Sequence, residues 1–255
     1  MDMITGTEPE TGALTLRKLP IDWSQLDRLE VNPRRLERER IVAFNRRHPG
    51  AAAVDILRTK ILQDAGEQAW HSLGIVAPTA GCGTATVAVN LALSIARYRN
   101  VRVALIDLNL RQPKIARIFG FSGRFTTQDF LRGECLTSDL VVRVTDNLAL
   151  GASQMETEQA AELLHAPASA QALTRLQADL GADLIIYCLP PLLAGDDCLG
   201  LLHLMEATLL VVAAEHSATE DVDVAERQLR ARTRLLGVVL NKCRYSVGTA
   251  SNFAV

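Results

Sequence analysis

Apolar segments that alternate between strand-like and helix-like patterns run through most of the chain. Short, uniformly apolar runs such as 103–107 and 208–212 have no polar face, which is typical of strands covered on both sides. Other segments, such as 51–63 with Val54, Leu57 and Ile61, repeat apolar residues at helical spacing. This alternation predicts an α/β fold, namely a doubly wound, mostly parallel sheet with helices on both faces.

The predicted elements follow one another from residue 51 to residue 241. After the helix over 51–63, strands and helices are predicted over 72–77, 86–98, 101–107, 114–119, 148–150, 160–180, 184–188, 199–205, 207–213, 219–233 and 235–241. Residues 1–45 lack this regularity, and we predict a partly disordered tail and arm there. One domain is predicted over 46–245, followed by a flexible tail over 246–255.

Composition and charge narrow the range of functions. The 255 residues are 48% apolar with a formal net charge of -2, so no basic field indicates a nucleic-acid partner. An acidic, polar N-terminus argues against a signal peptide, and apolar runs stay below the ~18 residues that span a bilayer. The five cysteines lack metal-ligand spacing. We therefore expect a cytoplasmic protein with free thiols and no metal site.

Segment 78–86 has the layout of a phosphate-binding loop, because it follows a predicted strand and leads into a predicted helix. A working loop places Lys and then Ser or Thr after its last glycine, for the phosphates and for Mg²⁺. Here Thr84 and Ala85 follow Gly83. The helix N-terminus and the backbone amides could still hold an anion weakly. The predicted, vestigial nucleotide site comprises Ala80, Gly81, Cys82, Gly83, Thr84, Ala85 and Thr86, together with Asn241 and Lys242 at the end of the last predicted strand.

Three further strand ends carry polar residues. Segment 107–113 begins with Asp107, segment 187–191 is followed by Asp197, and the last predicted strand ends at Asn241 and Lys242. Ligands of parallel α/β sheets bind beyond the carboxyl ends of the strands. These ends and the loop at 78–86 are therefore predicted to meet at one edge of the sheet.

The order and spacing of these motifs resemble those of the bacterial tyrosine kinases of capsule and exopolysaccharide synthesis, a branch of the MinD/ParA-like P-loop ATPases. The resemblance runs from about Arg40 to Arg244. It implies an ATP and Mg²⁺ site at the loop and a membrane-embedded chain-length, or co-polymerase, protein as partner. It also implies autophosphorylation of a C-terminal tyrosine cluster.

Several positions depart from the pattern of that family. Thr84 and Ala85 stand where the family has Lys and Ser or Thr, and Cys188 stands where its Walker B strand ends in Asp. The motif Asp-x-Asp-x-Arg-x-Pro keeps Asp107 and Arg111, but its second acid is Asn109. Asp197 is retained downstream and could order water.

This chain also departs from the motifs that the family uses for assembly and autophosphorylation. Its ring-forming motif, Glu-x-x-Arg-x-x-Arg, falls on Ala52, Asp55 and Arg58, so ring assembly is not predicted. Residues 244–255 contain one tyrosine, Tyr245, in place of a cluster.

The binding free energy of the lost contacts is large enough to decide between an active and an inactive site. A charge-assisted hydrogen bond contributes ~1.5–3 kcal/mol, so losing three such contacts removes about 4–6 kcal/mol when they are not fully additive. Micromolar ATP binding would become roughly millimolar. We therefore predict a pseudokinase-like regulatory or scaffolding subunit of exopolysaccharide synthesis or export, with no cofactor. Its expected partners are the co-polymerase or an active kinase paralogue, which would place it peripherally at the inner membrane, and it could form a homodimer.

Two other functions stay open at this stage. One is a true ATP-binding tyrosine autokinase or ATPase with divergent residues, which would use ATP or ADP with Mg²⁺. The other is a partitioning-type ATPase, which the lack of an amphipathic C-terminal helix disfavours.

Individual residues also have alternative interpretations. Asp107 and Arg111 either serve chemistry or brace the loop and each other, and Asn241 with Lys242 either contacts an adenine base or caps a turn. Cys82 and Cys188 are either a redox pair or, by default, two unpaired thiols. One arginine-rich run indicates a solvated helical face or a surface for an acidic partner or membrane, and its members are Arg28, Arg34, Arg35, Arg38, Arg40, Arg46 and Arg47.

Overall fold

A seven-stranded sheet lies at the centre of the computed structural model, which describes residues 20–243. Its strands are β1 (Ser72–Val76), β2 (Val103–Asp107), β3 (Val141–Thr145), β4 (Leu148–Gly151), β5 (Leu184–Cys188), β6 (Ala207–Ala213) and β7 (Arg234–Asn241). They lie in the order β3-β4-β2-β5-β1-β6-β7. Every neighbouring pair is parallel except β3 with β4. The predicted doubly wound, mostly parallel α/β fold is confirmed.

Ten α-helices and one 3-10 helix (Trp23–Gln25) surround the sheet in the described residues. The α-helices are α1 (Pro33–Arg38), α2 (Ala51–Gln68), α3 (Thr84–Ile95), α4 (Ile115–Phe119), α5 (Thr127–Arg132), α6 (Thr137–Leu140), α7 (Ala160–His165), α8 (Pro167–Leu180), α9 (Leu199–Leu202) and α10 (Thr219–Arg230).

Some predicted boundaries were wrong for local reasons. The single helix predicted over 160–180 is two helices, because Ala166 is extended and Pro167 begins a new helix, as proline's fixed φ favours at a first turn. The apolar pattern of the sequence did not predict α5, α6 and β3, which are only four to six residues long. In α5 the helix start is fixed by a capping box between Thr126 and Asp129.

Alternate residues of each strand enter two separate cores, one on each face of the sheet. Ile106 and Tyr187 face the core that includes α5, α7, α8 and α10. Leu105 and Ile186 face the core that includes α2, α3 and α4. Since side chains alternate along a strand, Asp107 shares the face of Leu105, and Cys188 lies in the same core. The polar ends of β2 and β5 therefore point toward α3.

The arm over 20–45 packs against both faces of the domain. Trp23 is 2% exposed, and its indole N–H donates to the carbonyl of Leu180 at 2.9 Å. The arm also lines β3, where the amide of Leu29 donates to Arg143 O at 2.8 Å. Further on, the side-chain oxygen of Asn90 in α3 accepts from the amides of Val42 and Ala43. Residues 20–45 thus contribute to the same cores as the sheet.

Across residues 20–243, no helix has both the length and the apolar character needed to span a bilayer.

Candidate active site

The loop between β1 and α3 has the backbone of a phosphate-binding loop. Gly81 and Gly83 have φ values of 86° and 92°, a left-handed region that favours glycine. A Cβ on Gly83 would lie 2.2 Å from the side-chain nitrogen of Asn241, so no larger residue fits there. No side chain caps α3, and the N–H groups of its first turn have no carbonyl acceptor within the helix. The loop therefore leaves several backbone donors for an anion.

Asn241 and Cys82 hold this loop from behind. The Asn241 amide donates to the carbonyl of Cys82 at 2.9 Å. The Cys82 thiol donates to Thr79 O at 3.3 Å and lies 3.4 Å from the Ser217 hydroxyl. Asn241 thus braces the loop, which is neither the adenine contact nor the turn cap that was considered for it. Cys82 and Cys188 are both free thiols.

Asp107, at the end of β2, is fully engaged with backbone donors. One oxygen accepts from the amide of Asn109 at 3.1 Å, and the other accepts from the amides of Lys114 and Ile115 at 3.0 Å each. Burial raises the pKa of this carboxyl group from 3.8 to about 6, although the three backbone hydrogen bonds oppose the rise. Asp107 thus ties the turn after β2 to the start of α4, which supports the bracing interpretation.

The raised pKa of Asp107 predicts a specific pH dependence of stability. The folded protein binds this proton more tightly than the unfolded chain, so the stabilisation is complete below pH ~4 and is lost as pH rises through about 6. From pH 7 to pH 5, the unfolding free energy of the wild type should rise by about 1.4 kcal/mol relative to Asp107→Asn. Urea denaturation at each pH measures the difference, with the exposed Asp146→Asn as control. A difference that does not vary with pH would contradict the prediction.

Arg111 does not contact Asp107 and instead binds Asp197 and the carbonyl of Glu158. Its guanidinium holds Asp197 at 2.5 and 3.0 Å and also donates to the carbonyl of Glu158. The hydrogen bond to Asp197 raises the pKa of Arg111. The prediction that Asp107 and Arg111 brace each other is wrong, because Asp107 accepts only backbone donors and Arg111 pairs with Asp197. This pair links the turn after β2 to the segment before α9.

Cys188 ends β5 beside Asp107, its partner in the strand register. The thiol is 1% exposed, and burial raises its pKa well above the ordinary thiol value. It is therefore neutral near pH 7. A neutral S–H group stands where the resembling kinases have the Walker B carboxylate.

A cavity of about 220 Å³ lies in front of the loop and brings most of the predicted residues together. Its wall includes these predicted residues: Ala80, Gly81, Gly83, Thr84, Ala85, Thr86, Asp107, Asn109, Cys188 and Lys242. Thr86, one position after Ala85, also contributes to the wall. Cys82, Arg111, Asp197 and Asn241 are not part of it.

The sequence analysis did not identify three charged residues of the wall, Glu39, Lys114 and Arg117. Lys114 directly follows Pro113 of the second motif, and Arg117 lies one helical turn later. Their i, i+3 spacing at the start of the helix predicted over 114–119 was the available signal. Glu39 comes from the arm, whose position no local pattern predicts.

The wall offers poor ligands for Mg²⁺. The ion prefers octahedral oxygen ligands, usually carboxylates and hydroxyls beside substrate phosphates. Ala85 has no hydroxyl, Cys188 supplies a neutral thiol, and Asp107 already accepts three amides. Among residues 20–243, no group of three His, Cys, Asp or Glu side chains could hold a metal ion. Ala85, Cys188 and the saturated Asp107 therefore do not fit the metal that the resemblance implies.

The positions of the ring-forming motif make contacts within the chain. Asp55 lies 3.1 Å from Arg58, accepts from the Ser94 hydroxyl at 2.7 Å, and pairs with Arg97. The Arg58 guanidinium lies over the ring of Tyr98. Asp55 and Arg58 thus join α2 to α3, whereas Ala52 has no charge to offer. Tyr245, the predicted C-terminal tyrosine, lies outside the described residues.

Comparison with known proteins places this chain among P-loop proteins. The tyrosine-protein kinase YwqD of Bacillus subtilis is 26% identical over 208 residues, covering 77% of this chain and 86% of that protein. The crystal structure of the VpsO kinase domain is 27% identical with a TM-score of 0.68, covering 82% of this chain and 97% of that one. Relatives of this chain are thus bacterial kinases.

A more distant structure with the same fold contains a nucleotide. Cobyrinic acid a,c-diamide synthase from Mycobacterium smegmatis, solved with bound ADP and magnesium, is 20% identical with a TM-score of 0.57 and covers 67% of this chain and 73% of that one. The family model described as ParA, NUBPL iron-transfer P-loop NTPase, matches residues 69–252. This chain therefore belongs to the ParA family of P-loop NTPases.

Proposed function

We propose that this chain is a catalytically inactive, tyrosine-kinase-like protein that acts as a regulatory or scaffolding subunit in exopolysaccharide synthesis or export. One observation carries the proposal. Within residues 20–243, the carboxylate at the strand ends that line the cavity is that of Asp107; three backbone amides saturate it, and its neighbour is the neutral Cys188 thiol. Phosphoryl transfer depends on metal and cationic stabilisation of developing charge, and neither the saturated Asp107 nor the neutral Cys188 supports holding that metal.

The intact scaffold supports a role through protein contacts. The strand order, the loop backbone and the two cores retain the P-loop fold, while polar chemistry is lost at positions 84, 85, 109 and 188. Loss at several convergent positions within an undamaged fold is what a change of role would produce.

The proposed partners follow from the resemblance to the polysaccharide kinases. They are a membrane-embedded chain-length, or co-polymerase, protein and an active kinase paralogue. The intramolecular contacts of Asp55 and Arg58 favour contacts other than the ring.

A second candidate is an ATP-binding tyrosine autokinase or ATPase with divergent residues. One observation favours it: Lys114 and Lys242 line the cavity and could supply the charge that Thr84 does not. It still requires a metal site, which the wall does not provide.

Phosphoryl transfer distinguishes the two candidates. The purified full chain, incubated with γ-labelled ATP and Mg²⁺, is expected to release no phosphate and to label no tyrosine above the rate of a heat-denatured sample. In parallel, co-expression with the kinase paralogue is expected to change the autophosphorylation of that kinase. Metal-dependent turnover by this chain alone would refute the inactive role and favour the second candidate.

A further inference from the structure

Positive charge in the cavity comes from outside the phosphate-binding loop. Lys114 and Arg117 enter the wall from the start of α4, and Lys242 enters it from the end of β7. Among residues 20–243, neither lysine ammonium has a carboxylate within ion-pair distance. Two lysines that face a cavity without ion-pair partners are available to an anionic ligand.

The acidic groups of the wall do not cancel this charge. Glu39 and Asp107 are the carboxylates of the wall, against three cations, and the Asp107 oxygens point at backbone amides. Burial raises the pKa values of Asp107 and Cys188, and the nearby charge of Lys114 opposes both rises. The wall therefore has an excess of positive charge at neutral pH.

Cys188 suits a ligand that carries no metal. The thiol is almost fully buried, lines the cavity, and has no hydrogen-bond partner among the described residues. A carboxylate at this position would repel bare phosphate oxygens, whereas a neutral S–H can donate to them weakly. The unpartnered thiol adds a third kind of donor to the lysines and the amides of the α3 N-terminus.

We propose that this cavity binds the phosphate groups of a metal-free oligophosphate, with Lys114 and Lys242 in place of the P-loop lysine and the magnesium ion. The inference rests on the proposed inactive function, because a ligand bound without metal is held and not turned over. The cavity volume of about 220 Å³ suits a diphosphate, since it lies below the range of typical drug-sized sites. The Asn241 amide, the candidate for an adenine contact, is already engaged with Cys82 O.

Calorimetric titration of the full chain with pyrophosphate tests this proposal. In EDTA we expect a Kd of about 1 mM or tighter, weakened several-fold by excess Mg²⁺, because the metal complex carries less negative charge. Lys114→Ala and Lys242→Ala should each weaken binding about tenfold. The matched control is Lys60→Ala, an exposed lysine of α2 outside the cavity wall.

Position 188 gives a second test that does not depend on removing charge. In EDTA, Cys188→Asp should weaken pyrophosphate binding about tenfold by repulsion, whereas Cys188→Ser should retain it. Circular dichroism melting of each variant shows whether it is folded. Binding that requires Mg²⁺, or that Lys114→Ala and Lys242→Ala leave unchanged, would overturn the proposal, as would no binding at 10-fold higher ligand than the expected Kd.

The source of the phosphate is identified in the same experiment. ADP and GDP that bind as tightly as pyrophosphate identify the phosphate groups alone as the ligand, and a tenfold preference for ADP identifies an adenine nucleotide. Both results support metal-free phosphate recognition. A parallel assay for ATP turnover keeps the two proposals separate, because turnover refutes the inactive function even where pyrophosphate binds as expected.

Discussion

Restoring three side chains together, by Thr84→Lys, Ala85→Thr and Cys188→Asp, is expected to increase the affinity for Mg·ATP about a thousandfold. The three contacts together contribute about 4–6 kcal/mol after allowance for non-additivity. The backbone to receive them is present, since Gly81 and Gly83 keep the left-handed turns of the loop and α3 begins at Thr84. Titration with Mg·ATP and with metal-free ATP measures the change.

The triple variant and the wild type should also respond to Mg²⁺ in opposite directions. In the triple variant, position 188 would place a second carboxylate beside Asp107 on the neighbouring strand, and two adjacent carboxylates need a cation between them. Nucleotide binding should therefore strengthen with Mg²⁺ in the variant and weaken with it in the wild type. Thr84→Lys alone is the control and should gain only about tenfold. A triple variant within threefold of the wild type would show that the loop cannot accept the ligand.

Trp23→Ala is expected to lower the free energy of unfolding by about 3–5 kcal/mol, the usual cost of truncating a buried Trp. Trp23 is 2% exposed, its indole donates to Leu180 O, and Arg102 lies 5.7 Å from its ring. For a chain of this size the melting temperature should fall by roughly 10 °C. Thermal and urea unfolding measure the loss.

The neighbouring Ser24→Ala is the control for Trp23→Ala, because Ser24 lies on the same short helix and is exposed. It should change the stability by less than ~0.5 kcal/mol. We propose from these contacts that the folding unit begins before residue 46. A Trp23→Ala loss below about 1 kcal/mol would instead favour the arm and the domain as separate units.

The candidate site was predictable only where a single segment defines it. The glycines of the loop, Asp107 at the end of β2 and Cys188 at the end of β5 were recognisable, because strand ends of a parallel sheet share one edge. The partner of Arg111 was not predictable, since Asp197 is 86 positions away in sequence. Bulk composition gave no indication that Lys114 and Lys242 would face the same cavity.

Sequence by itself determined the fold class and that Thr84, Ala85 and Cys188 stand at the positions compared with the kinase motifs. Both properties are local, since uniformly apolar strands imply a covered sheet and a motif is defined by residues in one segment. Only the tertiary structure decided that Asp107 is saturated by backbone amides, that the arm contributes Trp23 to the core, and that cations from α4 and β7 enter the cavity. Those facts depend on which distant segments pack together, because that packing sets how deeply each side chain is buried and which charges lie around it.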